Sequence, residues 1–172
     1  MMRKLAFVFL FLVVGAICYL GISISKKLQT KQAIQKRIKE LPAFSLSNID
    51  GNIFHSIGKK GTRPLIFIYF KTGCHFCQDE IQSIRMHQAL QRHSIICLIS
   101  DQPGDTLKQF TDDFKLDSLK NVQILCDKDG RIKHLFGVHG VPSTFLYATD
   151  GHLIKSFKGE TDAEVLYQLV EK

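Results

Sequence analysis

The chain has 172 residues, 45% of them hydrophobic and 23% charged, which is the composition of one globular domain rather than of a disordered or fibrous protein. Its five cysteines are too few for a small disulfide-stapled scaffold, and a chain of this length buries a core without such bridges. Much of the net charge of +7 lies before residue 41 without an aromatic-plus-basic motif, so nucleic acid is not expected as a partner.

The first 25 residues are predicted to be a membrane anchor. Residues 5–25 carry no charge, and a helix needs an apolar stretch of about 20 residues to cross the hydrocarbon core of a bilayer. The stretch is longer than the apolar region of a cleaved signal peptide, so we interpret it as an uncleaved signal anchor. A lipidated Cys18 is the alternative, and it is disfavoured because the large Ile17 precedes it.

Residues 26–40 are predicted to be a basic juxtamembrane spacer, a short helix that Pro42 ends and whose lysines contact anionic headgroups. Under the positive-inside rule, the basic residues before the anchor favour a cytoplasmic N-terminus, whereas the lysines after it favour the reverse. Charge alone therefore leaves the orientation of the chain open.

Residues 41–172 alternate between strand and helix patterns, which predicts one α/β domain with a partly parallel sheet. A hairpin near the end of the chain makes that sheet mixed. In chain order, the predicted elements are a hairpin over 44–56, a buried strand over 63–70, a helix over 74–92, a strand over 94–100, a helix over 104–114, a strand over 121–126, a helical turn over 128–137, a hairpin over 143–159, and a last helix whose capping box is Thr161 and Glu164.

Cys74 and Cys77 stand where the buried strand ends and the next helix begins. Unpaired N–H groups and the helix dipole stabilise negative charge at such a position, and the thiolate is the species that attacks a disulfide. Cys77 is one helical turn further on, near enough to close a disulfide with Cys74. We therefore predict that Cys74 is the attacking thiolate and Cys77 the resolving thiol.

A metal site is the first alternative for this pair. A structural zinc ion needs four ligands, and the sequence has no second C-x-x-C, so no metal is assigned. Cys97 and Cys126 are single residues within or at the end of apolar strands. Each is expected to be a small buried hydrophobe, although the strand-end position of Cys126 leaves its exposure open. A disulfide between them is the alternative if their strands adjoin.

Residues 44–172 resemble the thioredoxin-like superfamily, in particular its membrane-anchored TlpA-like thiol–disulfide oxidoreductases. Three features carry the resemblance: "PLIFIYFKTGCHFC", a strand followed by the cysteine pair; Glu80, which completes a C-x-x-C-x-x-E pattern; and "FGVHGVPSTFLYATDGHLIKSFKG", which is similar to the family's segment around a cis-proline. The resemblance implies a thioredoxin-like fold and no cofactor beyond a redox-active disulfide between Cys74 and Cys77.

The resemblance also assigns roles around the pair. Pro142 is expected to be cis and to present the backbone of Val141 to an extended client peptide. Glu80 is expected to be tucked one turn beyond Cys77, with a raised pKa, and to take its proton; a solvated helix glutamate is the alternative. Between the cysteines, His75 and Phe76 are expected to tune the redox pair, because a protonated imidazole at His75 would stabilise the thiolate. An exposed histidine of little influence is the alternative.

Some residues depart from the pattern of the family. The intervening pair is His75 and Phe76 where many relatives have proline second, and Gly73 stands where tryptophan is usual. At the position of Ile81, directly after the glutamate, relatives commonly have a residue that precedes a proline. Ile68 stands where thioredoxins have a buried aspartate. These departures leave the reduction potential and the direction of electron flow open.

By resemblance, the protein is expected in the cytoplasmic (inner) membrane as a single-pass protein whose catalytic domain faces the periplasm or the cell exterior. Its partners would be client proteins with thiols or disulfides, as in cytochrome c maturation, and a membrane electron donor. A peroxidase of the peroxiredoxin branch is one alternative function. Such enzymes have a threonine and a proline just before their reactive cysteine, and this sequence has Thr72 there but no proline. A copper carrier that uses Cys74, Cys77 and His139 is the other.

Overall fold

A seven-stranded mixed sheet forms the centre of the fold. The structure is a computed structural model that describes residues 2–56 and 63–171, without the side chains of residues 2–14. The strand order is β2-β1-β5-β4-β3-β6-β7, in which β4 pairs in parallel with β3 and β5 and the other neighbours are antiparallel. The strands are β1 Ser45–Asn48, β2 Ile53–His55, β3 Leu65–Tyr69, β4 Ile95–Ser100, β5 Val122–Cys126, β6 Ser143–Tyr147 and β7 Leu153–Lys158.

The helices connect these strands as the alternating pattern predicts. They are α1 Met2–Ile38, α2 His75–Met86, α3 Gln88–His93, α4 Gly104–Asp113, α5 Arg131–Phe136 and α6 Ala163–Val170, with a 3₁₀ turn at Leu116–Ser118. The chain divides into two compact units, Met1–Arg37 and Ile38–Lys172.

Residues 2–37 of the first unit lie in α1. Positions 5–14 of the predicted anchor lie outside the described side chains, and Lys172, the last residue of the predicted C-terminal helix, lies outside the described chain. Over the part of the chain that the structure describes, no helix has both the length and the apolar character needed to cross a membrane.

Strand β3 is buried along its whole length, because its continuous apolar run has protein on both faces. On one face, Ile66 and Ile68 belong to a core that also contains Ile81 of α2 and Leu166 of α6. Alternate side chains of a strand point to opposite faces, so Phe67 points the other way. Burial of each such side chain stabilises the fold by about 1.5–3 kcal/mol, which fixes the end of β3 rigidly.

The opposite face of the sheet carries an aromatic cluster. The ring of Phe67 lies 5.5 Å from that of Phe44, 5.9 Å from that of Tyr147 and 6.1 Å from that of Phe136, measured between centroids. Two of these contacts have the edge-on geometry that aromatic pairs prefer. The segment before β1 and helix α5 thereby close this side of the sheet.

The single helix predicted over 74–92 is wrong, because the chain breaks at His87 into α2 and α3. His87 has a non-helical backbone, with φ −95° and ψ 80°, and its Nδ1 accepts the N–H of Leu90 as the cap of α3. The amide of Gln91 donates to the carbonyls of Ile84 and Arg85 at 2.7 and 2.8 Å, which satisfies the last turn of α2. The break therefore has its own hydrogen-bond partners.

The capping box predicted for the last helix is also wrong, because Asp162 rather than Thr161 is the N-cap of α6. The Asp162 carboxylate accepts the N–H of Glu164 at 2.7 Å. The N–H of Thr161 instead donates to the buried carboxyl of Glu80. Thr161 thus belongs to the surroundings of the candidate site.

Candidate active site

Cys74 is the N-cap residue of α2. Its backbone is extended, with φ −93° and ψ 115°, and its Sγ accepts the N–H of Cys77 at 3.4 Å. A tight turn brings the chain here from the end of β3, since the N–H of Cys74 donates to the carbonyl of Lys71 at 3.1 Å. A sulfur in the place of a capping oxygen is aimed at the positive end of the helix, where a thiolate is stabilised.

Cys77 lies behind Cys74 and is fully buried, with 0% of its surface exposed. Burial, and secondarily the neighbouring sulfur of Cys74, raises the pKa of the Cys77 thiol to about 12. Cys77 therefore remains a thiol at neutral pH and needs a base before it can act as a nucleophile. The two cysteines differ in exposure as the sequence predicts, with Cys74 half-buried and Cys77 inside.

Glu80 is buried one turn beyond Cys77, so the alternative of a solvated glutamate is wrong. One carboxyl oxygen accepts the hydroxyl of Thr144 at 2.6 Å, and the other accepts the N–H of Thr161 at 3.3 Å. Burial outweighs these two hydrogen bonds and raises the pKa of Glu80 to about 7. A carboxyl group with that pKa can both accept and release a proton near neutrality.

Sequence reasoning missed Thr144 and Thr161 as partners of this carboxyl group. Thr144 lies opposite Ile68 in the pairing of β3 with β6 and is fully buried. Because Glu80 accepts the Thr144 hydroxyl, its side chain reaches from α2 to the part of the sheet next to Ile68. By the resemblance, Ile68 is the position of the buried aspartate of thioredoxins. The available signal was the inward position of Thr144, two residues after Pro142 on a strand of period two.

The bond between Val141 and Pro142 is cis, as the resemblance implied. The carbonyl oxygen of Val141 lies 3.8 Å from the Sγ of Cys74, and Val141 is half-buried whereas Pro142 is buried. The loop before β6 and the start of α2 thus meet at the Cys74 sulfur. Val141, Cys74 and Cys77 form one site, with Glu80 on its inner side.

His75 and Phe76 are both exposed at the rim of this site. The Nε2 of His75 lies 3.3 Å from a carboxylate oxygen of Asp79, one turn along the helix. Phe76 keeps 59% of its surface exposed, an apolar ring between the two cysteines in sequence. The Asp79 carboxylate and, at 6.2 Å between centroids, the Phe76 ring are neighbours of the His75 ring. A tuning effect of His75 and Phe76 on the cysteine pair remains a prediction.

The remaining candidates lie elsewhere. All five cysteines are thiols. Cys97 faces Gln123 and Cys126 faces Ser100 in the pairing of β4 with β5, three positions apart along the ladder. That offset separates their Cα atoms by about 10 Å, beyond the reach of a disulfide, so the alternative of a bridge between them is wrong.

The copper alternative needs His139 beside Cys74 and Cys77. His139 is exposed on the loop before β6. Within the described ranges, no three His, Cys, Asp or Glu side chains are close enough together to hold a metal ion. Cys18 is exposed on α1, and its lipidation remains a prediction.

Comparison with known proteins gives one family and several relatives. The model of the AhpC/TSA family matches residues 38–156. Thiol-disulfide oxidoreductase ResA of Bacillus thuringiensis subsp. konkukian (strain 97-27) is 25% identical over 177 residues, which cover 99% of this chain and 98% of the relative.

Solved structures share the fold at low identity. A secreted Mycobacterium tuberculosis disulfide oxidoreductase, homologous to E. coli DsbE, superposes with a TM-score of 0.64 at 19% identity, covering 79% of this chain and 97% of that one. Peroxidoxin BcpB of the same organism gives 0.66 at 16% identity, covering 77% and 94%. The fold is therefore thioredoxin-like, and fold alone does not separate disulfide exchange from peroxide reduction.

Proposed function

Because the chain belongs to the AhpC/TSA family and is a thiol–disulfide oxidoreductase, we propose that it exchanges disulfides with extracytoplasmic proteins while tethered to a membrane. One observation carries the proposal: the Sγ of Cys74 caps α2 beside the carbonyl of Val141, with the buried thiol of Cys77 directly behind it. A partly exposed nucleophile with a fully buried resolving thiol behind it is an arrangement suited to two-step exchange.

In the first step, the thiolate of Cys74 attacks one sulfur of a client disulfide. A bond forms between Cys74 and that sulfur, the client disulfide breaks, and the second client sulfur leaves as a thiolate. The N–H of Cys77, 3.4 Å from the Cys74 sulfur, stabilises the nucleophile before attack. Half-buried Val141 lies beside the sulfur and would orient the client backbone.

In the second step, Cys77 resolves the mixed disulfide. Its thiol gives its proton to the Glu80 carboxylate, the new thiolate attacks the sulfur of Cys74, and the client leaves as a second thiolate. The client has gained two electrons, and Cys74 and Cys77 have lost two in forming their disulfide. The raised pKa of Glu80, about 7, supports this role, because such a carboxylate is a stronger base than an ordinary one.

The same steps run backwards when a client dithiol is oxidised, and the relative reduction potentials of the two pairs determine the direction. If the protein reduces its clients, a dithiol donor in the membrane must return two electrons to the disulfide between Cys74 and Cys77. Cysteines reduced for cytochrome c maturation are the client class that the TlpA-like resemblance favours.

The tether is proposed from the amino-acid sequence and from the relatives. Residues 5–25 lack charge, and the match to ResA runs over 99% of the chain, so it includes this segment. The proposed location is a single-pass position in the cytoplasmic membrane, with residues 41–172 on the periplasmic or outer side.

The proposal is tested by two assays on the full chain in detergent, reduced with dithiothreitol. Wild-type protein and Cys126→Ala should reduce the disulfides of insulin, whereas Cys74→Ala should lose at least about 100-fold of the rate because the nucleophile is gone. The same preparations should not consume hydrogen peroxide faster than dithiothreitol alone. Peroxide turnover that depends on Cys74, without insulin reduction, would show that the protein is a peroxidase instead.

A further inference from the structure

We propose that Gln102 is a positioning residue for disulfide exchange, which holds the turn that carries Cys74 from the loop after β4. The inference rests on the proposed function of Cys74 and adds a residue that lies 28 positions from it in the sequence, in a different loop. Residues 71–74 form this turn, closed by the hydrogen bond from the Cys74 N–H to the Lys71 carbonyl.

Thr72 is the middle of the turn, and two glutamines bind every polar group that it has. Its N–H donates to Oε1 of Gln102 at 2.7 Å, and Nε2 of Gln102 donates to its hydroxyl oxygen at 3.1 Å. Its carbonyl accepts the amide of Gln78, on α2, at 2.6 Å. A single amide side chain thus accepts from the backbone and donates to the side chain of the same residue.

Gln102 is itself held in place. Its N–H donates to the hydroxyl oxygen of Ser100 at 3.4 Å, and that hydroxyl donates to Oε1 of Gln102 at 3.4 Å. Ser100 is the last residue of β4 and is fully buried, so these contacts tie the loop residue Gln102 to the end of the strand. A site residue supported by a fixed strand is positioned more precisely than one supported by a loop alone.

The neighbouring Asp101 binds the same turn by charge. Its carboxylate lies 3.9 Å from the ammonium of Lys71 and 3.3 Å from that of Lys133 on α5. These partners are partly exposed, and such ion pairs contribute little on their own. The turn is therefore held mainly by the amide of Gln102, and Asp101 is a weaker second contact.

The position of the turn matters because the sulfur of Cys74 has two narrow requirements. It must accept the N–H of Cys77, now 3.4 Å away, and stay beside the carbonyl of Val141, now 3.8 Å away. A turn released from Gln102 samples other positions, so the sulfur spends less time at the helix N-terminus. The consequence is a slower attack by Cys74, without a loss of the fold.

The test measures how fast Cys74 of the reduced full chain reacts with iodoacetamide at pH 6, with thermal unfolding as the control for folding. Gln102→Met keeps the bulk and removes both hydrogen bonds to Thr72, together with the long one from the Ser100 hydroxyl. We expect the rate to fall about threefold to tenfold, the worth of one or two hydrogen bonds. Thr72→Val removes only the hydroxyl contact and should cost less, whereas Thr72→Ser should restore the rate that valine loses. The matched control is Gln168→Ala, on the exposed side of α6, which should react as wild type does.

The double variant Gln102→Met with Thr72→Val separates positioning from general damage. Because both changes break the same contact, their combined effect should be no larger than that of Gln102→Met alone. Wild-type rates in Gln102→Met, or an additive double variant, would overturn the inference while insulin reduction by wild type leaves the proposed function standing. Loss of insulin reduction by wild type itself would instead remove the proposed function.

Discussion

Glu80 is the residue on which the proton transfers of the proposed reaction depend. It is a carboxyl group with 0% of its surface exposed, held by the hydroxyl of Thr144 and the N–H of Thr161. Two hydrogen bonds favour its charged form, and burial, the larger effect, favours the neutral form. The balance places its pKa at about 7, so the group can hold or release a proton near neutral pH.

The first prediction concerns the rate at which Cys77 resolves a mixed disulfide. In wild type this rate should rise as pH increases through about 7, because the Glu80 carboxylate that accepts the proton appears over that range. Glu80→Gln should lower the rate at pH 7.5 by about 10-fold to 100-fold and remove this step in the profile. Quenched-flow measurement with a preformed mixed disulfide on Cys74 gives the rate.

Asp79→Asn is the matched control, since Asp79 is on the same helix but half-exposed and paired with His75. It should leave the step near pH 7 in place. A pH profile that is the same in Glu80→Gln and wild type would show that Glu80 does not receive the proton of Cys77.

The second prediction concerns stability and pH. The pKa of Glu80 is raised from 4.5 to about 7 in the folded protein, so the folded state binds the proton more tightly than the unfolded state. Its contribution to stability is therefore complete below pH 4.5 and is lost as pH rises through 7, about 3 kcal/mol in total. Urea unfolding of the reduced protein at pH 5 and pH 8 should show this loss in wild type and a much smaller one in Glu80→Gln. Equal losses in the two proteins would contradict the assignment.

At the scale of elements, Asp127 joins the end of β5 to the start of α5. Its buried carboxylate accepts the N–H groups of Ile132 and Lys133 and the hydroxyl of Tyr69, each at 3.1 Å. Burial, and secondarily Asp127, raises the pKa of Tyr69 above its ordinary range, so the phenol remains a donor. One carboxylate therefore fixes α5 against β3, the strand that leads to Cys74.

The third prediction follows from that junction. Asp127→Ala leaves three donors without an acceptor, two of them buried and one partly buried, and should lower the free energy of unfolding by about 2–5 kcal/mol. Tyr69→Phe, the control, removes one donor along with its need for an acceptor and should cost about 1 kcal/mol. Chemical denaturation monitored by circular dichroism measures both. A smaller loss in Asp127→Ala than in Tyr69→Phe would contradict this account.

Local sequence predicted the elements whose partners are local, and it failed where distant residues decide. The apolar run of β3 and the Asp50-Gly51 hairpin were predicted correctly because periodicity and turn chemistry suffice for them. The break at His87 depends on the amide of Gln91 reaching back to α2, a contact that no pattern encodes. The carboxyl group of Glu80 is held by Thr144 and Thr161, which follow it in the sequence by 64 and 81 positions. Only the packed fold brings these residues together.

At the scale of the whole molecule, the α/β class, the mixed sheet and the cysteine pair at a strand-to-helix junction were all predictable. The order of the strands was not, because β1 and β2 join the sheet beside β5, far from them in sequence. The hydrogen bonds between Gln102 and Thr72 were missed for the same reason, since their loops meet only because β3 and β4 pair in parallel.

The fourth prediction concerns the orientation of the chain in a membrane. A reporter fused after Lys172, active only outside the cytoplasm, should be active if residues 5–25 are a signal anchor with a cytoplasmic N-terminus. Reversal of the lysines at 26, 27 and 31 to glutamate should leave that activity unchanged. A reporter active only in the cytoplasm would contradict the proposed location and make those lysines the topology signal.

The most direct test of the central claim is to identify which cysteine is captured by a client disulfide. Cys77→Ala lacks the second nucleophile, so a mixed disulfide with a cystine-containing peptide should accumulate, and mass spectrometry should locate it on Cys74. Cys74→Ala should form far less, because the thiol of Cys77 is buried and its pKa is raised to about 12. Capture on Cys77 in Cys74→Ala as fast as on Cys74 in Cys77→Ala, or no capture in either variant, would contradict the account.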